Sequence, residues 1–196
     1  MVYEDNDFKD FEFEDVIGDL DKNKKKKKDS SGKGKRGERN LGKLLKKRFG
    51  FEFTRTIGSG NRWGQVLFLP KFAQNVYSGD ILPEDENFKF VIECKDGYED
   101  IDLHVCFERG LKKIDEWIEQ STNEHLRCGR LPIICWKKDY KPWLVMIRKE
   151  DLKGEFKYLL SYKDWCIIAL RKLLDLDNSF FFIENDKKTE KKERNK

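Results

Sequence analysis

The sequence has few of the residues that build disulfide or metal-thiolate scaffolds. Its 196 residues include five cysteines, none in a Cys-x-x-Cys pair, and only two histidines. This number and spacing do not indicate a zinc site, an iron–sulfur cluster or a disulfide framework. We therefore expect free thiols in a reducing environment.

Long apolar segments are also missing. The sequence has no stretch of about 20 apolar residues that could span a bilayer, and its first residues do not resemble a signal peptide. We therefore expect no membrane partner. The expected location is intracellular, in the cytoplasm or nucleoid of a host cell, rather than secreted.

Charge is abundant and unevenly distributed. Charged residues make up 40% of the sequence, yet the net charge is only +4. Residues 1–21 carry nine acidic residues, whereas residues 22–36 are basic, with an unbroken run from Lys24 to Lys28. A basic run attracts phosphate by releasing counterions, and it is equally typical of a solvated, disordered tail. The two interpretations are compatible, because a disordered basic arm can still hold nucleic acid.

Hydrophobic periodicity divides the chain into one domain and two tails. Residues 1–35 are predicted to form a disordered or loosely docked arm, and residues 184–196 a disordered charged tail. The ordered domain is predicted to cover residues 36–183. Its first helix carries apolar residues at helical spacing, with Gly50 following as a stop. The apolar positions are Leu41, Leu44, Leu45 and Phe49.

The rest of the domain combines strand-like and helix-like segments. Strands are predicted at residues 51–57, 66–69, 78–82, 88–95, 130–136, 143–148 and 156–160. Helices are predicted at residues 103–123 and 164–176, and residues 180–183 are expected to close the sheet or dock on it. The predicted hairpin of residues 130–148 has a charged turn containing Pro142. This order of elements predicts an α/β fold with helices packed on a sheet.

Three residues have the types and placement that phosphodiester hydrolysis needs. Glu93 and Lys95 are two apart on a predicted strand, so their side chains leave the same face. Asp80 lies at the start of the neighbouring predicted strand. Carboxylates can hold Mg²⁺, and a nearby lysine can orient or deprotonate the attacking water. By itself, however, a Glu-x-Lys pair is also typical of a water-exposed strand end.

Longer motifs place these residues in a family. The matching segments, in order, are Gly34-Lys35-Arg36-Gly37-Glu38-Arg39, Phe49-Gly50-Phe51, Arg55-Thr56-Ile57-Gly58-Ser59-Gly60, Ser78-Gly79-Asp80-Ile81 and Ile92-Glu93-Cys94-Lys95. The segment from residue 34 to 81 resembles the archaeal Holliday junction resolvases of the PD-(D/E)XK nuclease superfamily. Residues 117–120, 131–138 and 141–146 resemble phage-encoded endonucleases of the same superfamily. The resemblance covers roughly residues 34–148.

The resemblance implies a role for each motif residue. Asp80 and Glu93 would be the central metal ligands, and Glu38 a supporting carboxylate that contacts the metal directly or through water. The carbonyl of Cys94 would be a further oxygen ligand, while the Cys94 side chain points to the other face of the strand. Lys95 would activate the water. The implied metal is Mg²⁺, with Mn²⁺ able to substitute.

Further residues are expected around this centre. Gln120 would orient the water or Lys95 from the long helix, and Ser59 would contact the scissile phosphate or the metal. Nucleic-acid contacts are expected from Lys35, Arg36, Arg39, Ser59 and Arg62. A wider set of basic residues would track phosphates: the arm from residue 22 to 35, with Lys46, Lys47 and Arg48.

The implied fold is restriction-endonuclease-like, a mixed β-sheet flanked by helices. The implied function is a metal-dependent DNA endonuclease, structure-selective in the manner of a junction resolvase, acting on branched DNA as a homodimer. Two alternatives remain open: a restriction-like, nicking or repair nuclease of the same superfamily, and a non-catalytic nucleic-acid-binding protein with this fold. The chain departs from the motif in having Gly79 where the proline would stand, although glycine is usual there in the resolvases.

Overall fold

The computed structural model describes residues 30–56, 70, 77–99, 101–107, 110–152, 157 and 160–183. The strands are β1 (Phe53–Arg55), β2 (Ile81–Pro83), β3 (Phe90–Asp96), β4 (Leu131–Lys137), β5 (Leu144–Arg148), β6 (Leu160–Tyr162) and β7 (Trp165–Ala169). The helices are α1 (Ser30–Phe49), α2 (Lys112–Cys128), α3 (Leu170–Leu174) and α4 (Asn178–Phe181). Short 3₁₀ turns cover Leu103–Phe107 and Lys149–Asp151.

The seven strands form one mixed sheet in the order β1-β2-β3-β4-β5-β7-β6. Strands β3 and β4 are parallel, and the other neighbouring pairs in this sheet are antiparallel. A parallel pair needs a crossover, and α2 supplies it by running between the end of β3 and the start of β4. The predicted α/β fold, a mixed sheet flanked by helices, is therefore confirmed. None of the helices in the described ranges has the length and apolarity needed to cross a bilayer.

Two apolar clusters cover the two faces of the sheet. One cluster lies under α1 and includes Phe90 and Ile92 of β3 together with Leu41 and Leu45 of the helix. The other lies under α2 and includes Ile134 of β4, with Ile114 and Trp117 of the helix. Alternate residues of β4, β5 and β7 belong to opposite clusters, as the pleat of a strand requires. A helix therefore covers each face of the sheet.

Phenylalanine rings dominate the edge of the α1 cluster. Ring centroids of Phe49 and Phe181 lie 4.9 Å apart, and those of Phe49 and Phe88 lie 5.5 Å apart, both in edge-to-face geometry. Phe88 and Phe182 also form an isolated antiparallel bridge. The segment at residues 180–183 thus docks on the sheet through α4 and this bridge, which agrees with one of its two expected positions.

The first helix and the central hairpin were predicted correctly. Helix α1 ends at Phe49, and Gly50 has a φ of 83°, the left-handed conformation that favours glycine after a helix. The helix begins at Ser30, six residues before the predicted start of the ordered domain at Arg36. Strands β4 and β5 pair antiparallel with Ile134 opposite Met146, which is the predicted hairpin.

Two helix predictions were wrong. Residues 103–123 are not one helix: a 3₁₀ turn comes first, and α2 begins only at Lys112, after Gly110 and an extended Leu111. Residues 164–176 start with strand β7, which pairs with both β5 and β6, and only then form α3. Trp165 to Ile168 are all buried, and a strand covered on both faces has a continuous apolar run that resembles a buried helix.

Other predictions lie wholly or partly outside the described residues. The predicted strand at 66–69 falls there, as do Ser59 and Arg62. Most of the predicted strand at 156–160 falls there too, and β6 begins at its last residue, Leu160. Residues 1–29 of the predicted arm at 1–35, and the predicted tail at 184–196, are likewise outside.

Candidate active site

Strand β3 presents a buried carboxylate and a buried ammonium on its α2 side. Glu93 is 1% exposed and Lys95 is 8% exposed. Their neighbour Cys94 packs instead on the apolar cluster under α1. The expected alternation is therefore present, but the pair does not lie at a water-exposed strand end. Burying two ionisable groups is costly unless each finds partners, so the partners of this pair decide what the site can do.

Helix α2 supplies the partner that closes a hydrogen-bonded triangle. Lys95 Nζ donates to Glu93 Oε2 at 3.0 Å and to Gln120 Oε1 at 2.9 Å. Gln120 Nε2 donates to the same Glu93 Oε2 at 2.7 Å. The structure thus brings together three residues that the sequence singled out. Both donors use Oε2 of Glu93, so Oε1 stays outside this triangle.

Asp80 is held against β3 on both sides of Glu93. Its backbone N–H donates to the carbonyl of Ile92 at 2.8 Å, and its Oδ2 accepts from the N–H of Cys94 at 2.9 Å. Because the N–H and C=O of one strand residue point to the same side, the Cys94 carbonyl is directed to the edge where Asp80 lies. The backbone oxygen that the sequence motif suggested as a ligand therefore lies on the Asp80 side of β3.

Gly79 explains why no proline precedes Asp80. Its φ is 75°, and a Cβ at this position would lie 2.8 Å from the carbonyl oxygen of Ile92. Proline fixes φ near −65° and carries a ring, so it cannot occupy this turn. Glycine is the residue that allows the chain to pass this close to β3 just before Asp80.

Glu38 approaches the same place from α1. Its carboxylate forms an ion pair with Arg55 of β1, through Arg55 Nε and Glu38 Oε2. Burial, and then the charge of Asp80, raise the pKa of Glu38, whereas the contact with Arg55 lowers it. Glu38 therefore faces inward, and it is close enough to Asp80 to interact with its charge.

The site has more negative than positive charge. Burial raises the pKa of Glu93 to about 8, and the charge of Asp80 raises it further, whereas the charge of Lys95 and its hydrogen bond lower it. Burial acts to lower the pKa of Lys95, but the charges of Glu93 and Asp80 and the hydrogen bond to Glu93 act in the opposite direction, and the net shift is upward. Lys95 therefore keeps its proton near neutral pH and serves as a hydrogen-bond donor. The crowded carboxylates favour a bound cation.

The donor chemistry fits a hard divalent cation. Asp80, Glu93, Glu38 and the carbonyl of Cys94 all offer oxygen, which Mg²⁺ and Mn²⁺ prefer. The raised pKa of buried Glu93 next to Asp80 is what a cation between them would relieve. In the described part of the chain, no group of three or more His, Cys, Asp or Glu side chains forms a ready-made metal cage. These oxygen donors suit the ion by type and charge, but among the described residues they do not form a complete coordination sphere.

The predicted nucleic-acid contacts have mixed placements. Lys35, Arg36 and Arg39 are exposed on the first half of α1. Arg48, at the other end of the helix, donates instead to the carbonyls of Leu174 and Leu176, at 2.6 and 2.9 Å. Its guanidinium therefore holds the C-terminal segment, and its expected role in tracking phosphate stays a prediction.

Two residues near the site were missed by the sequence interpretation. Arg55 is the ion-pair partner of Glu38, and its position on the first predicted strand carried no signal for this role. Glu124 is 1% exposed and raises the pKa of Glu93 through its charge. A signal for Glu124 was present in the spacing, since it follows Gln120 by one helical turn and so lies on the same side of α2.

The chain is similar to known proteins over most of its length. The model of a family described as phage putative PDDEXK endonuclease matches residues 29–191. The chain is also 31% identical over 148 residues to Protein D14 of Escherichia phage T5, which covers 71% of this chain and 87% of that protein. The expected membership of the PD-(D/E)XK superfamily is confirmed. The chain therefore belongs to the phage putative PDDEXK endonuclease family and is a nuclease of that superfamily.

Proposed function

We propose that the chain is a divalent-metal-dependent DNA endonuclease whose catalytic residues are Asp80, Glu93 and Lys95. The observation that supports this most directly is the convergence on one segment of β3. Asp80 bonds to the backbone on either side of Glu93, while Lys95 and Gln120 share one oxygen of that same Glu93. Acidic oxygens and an ammonium held this close suit hydrolysis of a phosphodiester.

The metal would be Mg²⁺, with Mn²⁺ able to substitute, held by Asp80, Glu93 and the Cys94 carbonyl, with Glu38 in support. A divalent ion bound there would lower the pKa of a water and offset the charge that builds on the phosphate. Lys95 would orient that water through its ammonium. Gln120, which contacts both groups, would hold the Lys95 ammonium and the Glu93 carboxylate in position relative to each other.

Exposed basic residues would guide the DNA. Lys35, Arg36 and Arg39 lie in the same helix as Glu38, and charges of this kind neutralise phosphates without reading sequence. Ser59 and Arg62, which lie outside the described residues, remain proposed contacts. The resemblance of residues 34–81 to the junction resolvases supports branched DNA as the substrate. Cutting two symmetric strands would then require a homodimer.

The first experiment is a cleavage panel with the purified full chain. Four-way junction, flap, nicked, single-stranded and linear duplex DNA are incubated with Mg²⁺, with Mn²⁺ and with EDTA. We expect metal-dependent cleavage, fastest on the four-way junction. Fastest cleavage of another substrate would support a restriction-like, nicking or repair nuclease instead, and no cleavage of any DNA or RNA would support a non-catalytic binding protein.

Variants then test the residues. Asp80→Asn should abolish cleavage yet retain junction binding in Ca²⁺, because it removes a metal ligand without changing the surface. Lys95→Ala should lower the rate by roughly 10²-fold or more, the range seen when a positioned donor is removed. The matched control is Glu119→Ala, an exposed residue of α2. Undiminished cleavage by Asp80→Asn would exclude the proposed centre, and a monomer in sedimentation with junction DNA would exclude the homodimer.

A further inference from the structure

Three residues of α2, each one turn from the next, face the site and the turn that leads into Asp80. Gln120 contacts Glu93 and Lys95 of β3. Glu124 accepts a hydrogen bond from the backbone N–H of Gly79 and another from the side chain of Ser78. Cys128 also hydrogen-bonds with the side chain of Ser78. A spacing of four residues places all three on one side of a helix.

The turn at residues 77–80 is enclosed between β3 and this side of α2. Gly79 lies against the backbone of Ile92, where even a Cβ would approach the carbonyl oxygen to 2.8 Å. Ser78 is 1% exposed, and the N–H of Asp80, two residues later, donates to the carbonyl of Ile92. The position of Asp80 is therefore set by β3 on one side and by the carboxylate of Glu124 on the other.

A carboxylate at position 124 is energetically unfavourable. It is 1% exposed, and in the described part of the chain its Oε2 has no hydrogen-bond partner. The nearest guanidinium atom, Arg127 Nη1, lies 3.5 Å from Oε1. Burial raises the pKa of Glu124 to about 7, and the charge of Asp80 contributes. A buried carboxylate with incomplete compensation costs free energy, so stability alone does not account for it.

We propose that Glu124 is a positioning residue of the nuclease, holding the Ser78–Gly79 turn so that Asp80 and Glu93 face one divalent cation. The inference rests on the proposed function, because it takes Asp80 and Glu93 as the metal ligands. Glu124 acts through the Gly79 N–H, one peptide from Asp80. Small displacements of a ligand have large effects on binding and rate, so loss of this hydrogen bond weakens the metal site.

Paired substitutions separate position from charge. Glu124→Gln removes the charge but keeps an oxygen that can accept from the Gly79 N–H. Glu124→Asp keeps the charge but withdraws the carboxylate by one methylene. Mn²⁺ binding to the full chain is measured without DNA by isothermal titration calorimetry at pH 7.5, beside the exposed control Glu119→Ala. Thermal unfolding followed by circular dichroism confirms that each variant is folded.

A positioning role predicts that Glu124→Asp binds Mn²⁺ roughly 10-fold or more weakly, the size of loss typical when a group that orients a metal ligand is removed. Glu124→Gln should stay within about threefold of the original chain, since one acceptor replaces another. The Mg²⁺ concentration for half-maximal cleavage should rise in parallel in Glu124→Asp.

Three results would overturn the inference in different ways. If Glu124→Asp binds Mn²⁺ as tightly as the original chain, the Gly79 contact has no influence on the metal site. If Glu124→Gln loses affinity and Glu124→Asp keeps it, Glu124 acts through its charge and not through position. If the original chain itself binds no Mn²⁺ and cleaves no DNA, the proposed function fails as well, and the inference fails with it.

Discussion

The two faces of β3 have opposite chemistry. The face under α1 carries Phe90, Ile92 and Cys94, and it joins an apolar cluster that extends across the sheet. The face under α2 carries Val91, then Glu93 and Lys95, both buried and both hydrogen-bonded to Gln120. Neighbouring residues of one strand therefore have different roles. One face holds the fold together, and the other concentrates charge that the fold must tolerate.

This contrast indicates how the molecule separates stability from activity. Apolar burial stabilises in proportion to the area removed from water, so the α1 face should account for much of the free energy of unfolding. The carboxylates of buried Glu93 and Glu124, together with that of half-buried Asp80, should oppose folding until a cation compensates them. Substitutions on the two faces should therefore affect different measurements, even when the residues are adjacent in sequence.

The largest expected effect comes from comparing Ile92 with Glu93. Glu93→Gln should lower the cleavage rate by roughly 10³-fold or more, because several kcal/mol of charge stabilisation are lost. Its melting temperature should not fall, since a neutral amide replaces a buried carboxylate. Ile92→Ala should lower the free energy of unfolding by about 2–5 kcal/mol, as expected for a fully buried side chain.

Urea unfolding and cleavage rates measured on both variants test this contrast. Cleavage by Ile92→Ala is measured well below its melting temperature, with Ile92→Val as a milder control that should cost about 0.5–1.5 kcal/mol. If Glu93→Gln proves as destabilised as Ile92→Ala, the α2 face is structural and the separation of the two faces is lost.

A second prediction concerns the pH dependence of stability without metal. The pKa of Glu93 rises from 4.5 to about 8 because of its burial and the charge of Asp80. At pH 4 the carboxyl is protonated in both folded and unfolded chains. As the pH rises through 4.5 the unfolded chain releases this proton while the folded chain retains it, so stability falls until about pH 8.

In EDTA, we expect the melting temperature of Glu93→Gln to rise relative to the original chain by at least about 4 °C between pH 5 and pH 8. Added Mg²⁺ should stabilise the original chain more at pH 8 than at pH 5.5, because metal binding requires ionised ligands. Differential scanning calorimetry provides both values. If the melting temperatures of the two proteins change with pH in parallel, Glu93 ionises in the folded chain as it does in water.

The features of the two faces that follow from local periodicity could be predicted from the sequence. Alternation on β3 predicted that Glu93 and Lys95 share a face and that Cys94 points away from it, and the apolar stripe of α1 predicted its inward side. Five motif segments in order identified the family. Strand β7 was mistaken for a helix because its apolar run is buried on both faces and so lacks alternation.

Contacts made across long sequence separations could not be predicted in the same way. The contact between Glu124 and Gly79 joins residues 45 positions apart, and its existence depends on how α2 crosses the sheet. The pairing of Arg55 with Glu38 depends likewise on the packing of α1 on β1. The composition of the site was therefore available from the sequence, whereas the residues that orient it required the fold.

The smallest expected effect compares the two ends of α1, one beside the site and the other beside the phenylalanine cluster. Arg39 is exposed, and its Nε donates to the Lys35 carbonyl at 3.0 Å within the same helix. Arg48 donates to Leu174 and Leu176 and lies 4.9 Å from the ring centroid of Phe49. Arg39→Ala should therefore weaken DNA binding by a few-fold and reduce the slope of log affinity against log salt by about 1.

Arg48→Ala should leave that slope unchanged and instead lower the free energy of unfolding by about 1–2 kcal/mol, because charged hydrogen bonds to two carbonyls are lost. Fluorescence anisotropy with labelled junction DNA across a KCl series, together with urea unfolding, measures both quantities. If Arg48→Ala lowers the salt slope as much as Arg39→Ala, DNA reaches the far end of α1. The two ends of α1 would then belong to one DNA-binding region, and the helix would not separate DNA binding from stability.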